Sequence, residues 1–170
     1  MVRRLESTGR ELLRSATHDP LTKLPNRYVL TDRIARLLGS IRRKSLRHAL
    51  FVFDVDKFSR VNRDWGRRVA DELLGQIARR TEEVIRPEDI VCRMTADSFA
   101  AFMEDVHDER NAAIMAARLL VALSKPFTIG KKTVSITGSI GIVLSGGGVR
   151  RARRHAQGRR VSLAPGQNKG

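Results

Sequence analysis

The spacing of apolar residues changes along this chain, and each change predicts an element. Leu5, Leu12 and Leu13 stand among alternating charges, so residues 1–17 read as a helix. That stretch fits either a solvated lead-in helix or the end of a signalling coiled coil, and a few turns do not separate the two. Pro20 and Pro25 punctuate residues 18–27 as a connector. Leu30, Ile34, Leu37, Leu38 and Ile41 then recur at helical spacing. Arg42, Arg43 and Lys44 follow, at the end where cations offset a helix dipole. The run Ala49-Leu50-Phe51-Val52-Phe53 is unbroken and closes on Asp54-Val55-Asp56. This is the pattern of a central strand buried on both faces and tipped with carboxylates.

A turn through Asn62 and Gly66 comes next, then a helix with Val69, Leu73, Leu74, Ile77, Val84 and Ile85 on its apolar face. Residues 90–93 and 99–103 read as strands around a tight turn at 95–98. Asp108 and Glu109 open a third helix, with Ile114, Ala117 and Val121 on one face and Leu120 and Leu123 beside it; Pro126 ends it. Residues 127–129 and 134–144 read as a hairpin over Gly130-Lys131-Lys132. The order predicts an α/β (α+β) fold: a two-layer sandwich whose central, mostly antiparallel sheet is flanked by helices. After Ser145 the periodicity stops. Gly146-Gly147-Gly148 opens a charged stretch poor in large apolar residues, where disorder is expected. The chain therefore divides into a lead-in helix at 1–17, a domain at 18–145 and a basic tail at 146–170.

Composition adds one outlier. A hydrophobic fraction of 41% in 170 residues suits a single globular domain. No run approaches the roughly 18 apolar residues that span a bilayer, and residues 1–14 lack the apolar core of a signal peptide. The lone Cys92 fits a reducing cytoplasm. The net charge is +15, of which +8 lies on the first 145 residues, so nearly half the excess sits in the tail. Six arginines between residues 150 and 160 make nucleic acid or another acidic surface a candidate partner. That stretch carries no aromatic residue, which argues against base stacking.

Asp54 closes an apolar strand, and the order of elements puts Asp97, on the 95–98 turn, at the end of a neighbouring one. Two carboxylates meeting there suit Mg²⁺, which takes oxygen ligands and keeps waters and substrate phosphates as the remainder. Such an ion supports phosphoryl transfer. The alternative is that Asp54 and Asp56 only begin a polar turn.

Four ordered motifs sharpen this. They are His18-Asp19-Pro20-Leu21-Thr22 through Leu24-Pro25-Asn26-Arg27; Phe53-Asp54-Val55-Asp56 with Phe58, Val61 and Asn62, continuing through Gly66 to Asp71-Glu72-Leu73-Leu74; Arg93-Met94-Thr95-Ala96-Asp97-Ser98-Phe99; and Ser139-Ile140-Gly141-Ile142. Together, over roughly residues 15–145, they resemble the GGDEF domain family of bacterial cyclic di-GMP signalling, whose fold is of the nucleotidyl-cyclase, palm-like type. The resemblance implies that Asp54, the backbone carbonyl of Val55 and Asp97 hold Mg²⁺. It implies that Asn62 and Asp71 bind the guanine edge, that Phe58 packs under the turn, and that Thr95 and Ala96 lie where phosphate passes. The family reaction condenses two GTP molecules, held on two facing domains, into cyclic di-GMP. A homodimer through the nucleotide face would follow, with an upstream sensor or a downstream phosphodiesterase domain as further partners.

The same loop departs from the family pattern. Thr95 and Ala96 replace two glycines, whose freedom at positive φ and lack of side chain let the backbone approach phosphate. Ser98 replaces a glutamate at the catalytic position beside Asp97. The family's last helix and strand, with their phosphate-binding cations, have no counterpart motif in the arginine tail. Losing about 3 kcal/mol of transition-state stabilisation costs over a hundredfold in rate. The expectation is a degenerate domain that binds GTP–Mg²⁺ or cyclic di-GMP in a regulatory role, with an active diguanylate cyclase as the alternative. Arg86-Pro87-Glu88-Asp89 has the Arg-x-x-Asp form of the family's inhibitory cyclic di-GMP site, five residues before the loop. Cys92, Trp65, His18, His48 and His107 read as structural.

Overall fold

The computed structural model describes residues 11–40, 47–145, 149–154 and 161–165. Helix α1 covers residues 11–17 and α2 spans Arg27–Ser40. Strand β1 (Ala49–Val55) leads into two helices, α3 (Phe58–Trp65) and α4 (Arg67–Glu82). Strands β2 (Ile90–Arg93) and β3 (Ser98–Met103) form a hairpin, and α5 (Glu109–Ser124) follows. The chain ends in β4 (Phe127–Ile129), β5 (Lys132–Val134), β6 (Gly138–Leu144), β7 (Val149–Arg154) and β8 (Val161–Pro165).

Six strands make the main sheet in the order β2-β3-β1-β6-β7-β8, and every described pairing in it is antiparallel. Strand β1 is central, as its unbroken apolar run requires. Ala49, Phe51, Phe53 and Val55 point to one face and are buried with Leu73, Leu74 and Ile77 of α4 and Leu119, Leu120 and Leu123 of α5. The other face is covered differently. Helix α2 sets Leu30, with Ile34 and Leu37 beside it, over Cys92, Ala100 and Phe102. Leu50 and Val52 of β1 are only half-buried there, so the strand is dry on one face and partly covered on the other.

Four readings change. The turn expected around Asn62 is helix α3; Phe58 and Val61 pack on the core, but no residue of the helix is fully buried. The face of α5 that meets the core carries Ala112, Met115, Ala116, Leu119, Leu120 and Leu123, while Ile114 and Val121 are exposed. The long hairpin divides: β4 pairs with the short β5, and β6 leaves them to pair with β1. Disorder was expected past Ser145, yet β7 pairs with β6 and β8 with β7, which supplies hydrogen-bond partners that β6 would otherwise lack along that edge. Residues 1–10, 41–46 and the rest of the tail lie outside the described residues, as do the tail's side chains, including the arginines weighed for nucleic acid.

Candidate functional site

The site is assembled at one end of β1. Antiparallel register sets Asp54 opposite Ser98 on β3 and opposite Ser139 on β6. The Val55 N–H donates to the Asp97 carbonyl at 3.2 Å. The register thus brings Asp54, Val55, Asp97 and Ser98 to one edge, with Asp54 exposed and Asp97 and Ser98 half-buried. All are hard oxygen donors of the kind Mg²⁺ takes. Among the described residues no three His, Cys, Asp or Glu side chains gather as a metal site. Backbone, water or phosphate oxygens would therefore complete any shell, as is usual for Mg²⁺.

Asp56 has a different task. Its N–H donates to the Thr137 carbonyl at 2.9 Å, and its carboxylate accepts from Thr137 Oγ1 at 2.8 Å and Ser139 Oγ at 3.2 Å. It ties the end of β1 to the start of β6. Lys57 then turns the chain through the left-handed region at φ 57°, and α3 begins at Phe58. Asn62 is exposed on α3, and its carbonyl accepts from Gly66 N–H at 3.0 Å. Gly66, at φ 84°, serves as the C-cap of α3 and the N-cap of α4. The two helices pack against each other across this corner, with Asn62 on one arm and Asp71 on the other. The Asp71 carboxylate is half-exposed, 3.8 Å from Arg67 Nε. Such a surface pair contributes little and yields readily to a ligand.

The 95–98 loop is held by a contact with no local signature in the sequence. Arg93 donates from Nη1 to both Asp19 carboxylate oxygens at 3.1 and 3.0 Å. Its Nη2 reaches the Ala96 carbonyl at 2.7 Å and its Nε the Thr95 carbonyl at 3.1 Å. The two side chains are only 12% and 18% exposed. Asp19 also accepts from Thr22 N–H at 2.7 Å and Thr22 Oγ1 at 2.8 Å. Burial pushes the Asp19 carboxyl up, but the bonds from Thr22 and Arg93 outweigh it and hold the pKa below the ordinary value. Both residues stand in motifs visible in the sequence; nothing local announces that they meet. Non-glycine residues with positive φ, among those described, are Lys23, Lys57 and Asp105, so neither Thr95 nor Ala96 takes the left-handed backbone that glycine would favour. Their side chains are exposed at the rim of an open cavity of about 570 Å³, also lined by Arg27, Tyr28 and Arg93. Asp54, Asn62 and Asp71 do not line that cavity.

Arg86 is exposed and Asp89 is buried, with 9% of its surface exposed. Their backbones close a turn, Asp89 N–H to Arg86 carbonyl at 3.1 Å, and no ion pair joins their side chains among the described residues. Asp89 Oδ1 accepts from Glu104 N–H at 3.4 Å, while Oδ2 is buried without a partner. Burial raises the Asp89 pKa. Cys92 is buried, and burial pushes its thiol up to about 11, which makes it unreactive.

The main antiparallel sheet flanked by helices, with Asp54 at the end of its central strand and Asp97 on the turn beside it, is the fold of a GGDEF domain. The chain belongs to the GGDEF family: the family profile described as "Diguanylate cyclase, GGDEF domain" matches residues 16–157. It is 36% identical over 140 residues to the Pseudomonas aeruginosa bifunctional diguanylate cyclase/cyclic di-GMP phosphodiesterase MucR, covering 82% of this chain and 20% of MucR. It is 30% identical over 142 residues to the diguanylate cyclase TpbB of the same organism, covering 83% of this chain and 33% of TpbB. A solved structure of the TpbB GGDEF domain superposes with a TM-score of 0.72 at 30% identity, covering 75% of this chain and 74% of that one. The chain thus spans about a fifth to a third of the length of these two relatives.

Proposed function

We propose that this GGDEF domain binds GTP with Mg²⁺ at the end of β1 and acts as a regulatory domain with little or no cyclase turnover. One observation carries the reading: Asp54, Val55 and Asp97 meet at the end of β1, the strand that turns at Lys57 straight into the helix bearing Asn62, while the position next to Asp97 holds a hydroxyl, Ser98. Asp54, the Val55 carbonyl and Asp97 would hold the ion, which offsets phosphate charge when bound. Asn62 and Asp71 offer an amide and a carboxylate, which match the carbonyl, N–H and amine of a guanine edge. Phe58 anchors α3 on the core beneath them. Cyclisation also needs a second loaded domain face to face, and a pairing of this kind belongs to the same proposal, as does a cytoplasmic setting. Among the described residues no helix is long and apolar enough to cross a membrane.

Cyclic di-GMP at Arg86 and Asp89 is the second reading, favoured by an exposed arginine whose backbone closes a turn with Asp89, a residue whose buried Oδ2 has no partner. Calorimetry with GTP–Mg²⁺ and with cyclic di-GMP, run side by side, tests both. Heat with GTP that disappears in Asn62→Ala is the expected result. Absence of heat with either ligand would sink the proposal, and cyclic di-GMP formed from GTP by the unmodified chain would favour an active cyclase.

A further inference from the structure

The corner between α3 and α4 is held by the packing of the two helices and by Phe58 and Val61 of α3 against the core. Helix α3 buries none of its residues fully, and Gly66 has nothing within 4 Å of where a side chain would begin. A strap from elsewhere in the chain reaches it. The β4–β5 hairpin lies along α4, fastened by Arg80 stacked 3.6 Å over the Phe127 ring and by Gln76 Nε2 donating to the Thr128 carbonyl at 2.8 Å. At its far end Lys132 Nζ sits 4.8 Å over the ring of Trp65, the last residue of α3 and three residues from Asn62. In the other direction the hairpin runs into residues 137–139, the segment whose Thr137 and Ser139 hold Asp56. The same strap therefore touches the guanine-side corner at one end and the metal-side strand at the other.

We propose that the β4–β5 hairpin sets the position of Asn62 relative to Asp71 through the Lys132–Trp65 contact, making Lys132 and Trp65 positioning residues for the guanine half of the site. This rests on the reading of Asn62 and Asp71 as the guanine-binding pair. Lys132 itself is exposed on β5 and contacts the ring rather than the nucleotide. Its effect passes through the orientation of α3. A cation over a partly exposed ring contributes modestly, so removing it is expected to weaken GTP binding about three- to fivefold.

The test measures affinity for GTP–Mg²⁺ and for Mg²⁺–tripolyphosphate, which carries the phosphates without the base, in the unmodified chain and four variants. Lys132→Ala is expected to lose affinity for GTP but not for tripolyphosphate. Lys132→Arg, which keeps a cation over the ring, is expected to restore GTP affinity. Lys131→Ala removes the same charge one residue away and is expected to change neither. Equal losses in Lys131→Ala and Lys132→Ala, equal losses for both ligands, or no loss in Lys132→Ala would overturn the inference. GTP binding that depends on Asn62, tested in Asn62→Ala, but not on Lys132 would overturn this inference alone; no GTP binding by the unmodified chain would overturn the guanine-site reading with it.

Discussion

Asp19 and Arg93 lie 74 positions apart, and their meeting ties the 95–98 loop to the start of the domain. The arginine satisfies two loop carbonyls and a carboxylate at once, in fork geometry that lysine does not reproduce. Arg93→Ala is expected to cost about 2 kcal/mol, the scale of charge-assisted hydrogen bonds lost at a largely buried site, readable as a lower urea midpoint. Because the folded Asp19 carboxyl titrates below its unfolded value, its stabilisation is complete above the unfolded pKa and is lost as pH falls through the folded one. Acid unfolding curves recorded below about pH 4 should be less steep in Asp19→Asn than in the unmodified protein. Asp89 has the opposite sign. Its pKa is raised by burial, so its charge opposes folding at neutral pH, and that cost fades as pH falls through the raised value. Asp89→Asn is expected to raise the melting temperature at pH 7 and to weaken any cyclic di-GMP binding. A fall in both would mean that the carboxylate has a stabilising partner in solution.

The elements differ in how far the chain announces them, and the reasons are physical. The apolar run of β1, the 3.6-residue face of α4 and the β2–β3 turn carry strong local signals and form those elements, although α4 ends at Glu82, before Val84 and Ile85, and β1 is fully buried on one face only. Helix α3 carries a weak one. Eight residues with two apolar contacts and a terminal glycine look like a turn, and the neighbouring α4 is what makes a helix of them. The face of α5 was misjudged because Ile114 and Val121 share the helical period with residues that do reach the core. Among the candidate site residues, Asp54, Asn62 and Asp97 were legible from motif spacing, whereas the Asp19–Arg93 clamp and the hairpin strap are long-range contacts with no local signature. Arg80 belongs to that hidden class. It donates to the carbonyls of Ala122, Lys125 and Pro126 at 3.1, 2.6 and 3.1 Å while stacking on Phe127. These bonds satisfy carbonyls at the C-terminal end of α5 and in the loop beyond it. Arg80→Ala is expected to destabilise by about 2 kcal/mol. Arg80→Lys should recover less than half of that in thermal melts, because an ammonium has no planar fork to span three carbonyls.

At the scale of the whole molecule, the sheet runs from strands rich in apolar residues to a strand rich in arginine. Strands β2, β3, β1 and β6 carry the apolar core, while β7 and β8 extend the sheet through a segment with the sequence VRRARR at β7. That sequence lacks the apolar alternation of a strand, which is why disorder was the natural expectation; backbone pairing with β6, from Ser139↔Arg153 to Val143↔Val149, has no such requirement. The pairing has a consequence for association. Strand β6 is apolar, and without β7 its outer row of N–H and carbonyl groups would be free to pair with another chain. Removing residues 146–170 also removes seven positive charges and no negative ones, lowering the repulsion that keeps copies apart. The truncated chain is therefore expected to melt at a lower temperature and to associate with rising concentration, both visible by light scattering during a thermal ramp. A double variant separates the two causes. Arg151→Pro with Arg153→Pro removes two backbone donors from the middle of β7 at the cost of two charges, so association on the scale of the truncation would assign the effect to the uncovered edge. A monomer in that variant, beside an associating truncation, would assign it to charge.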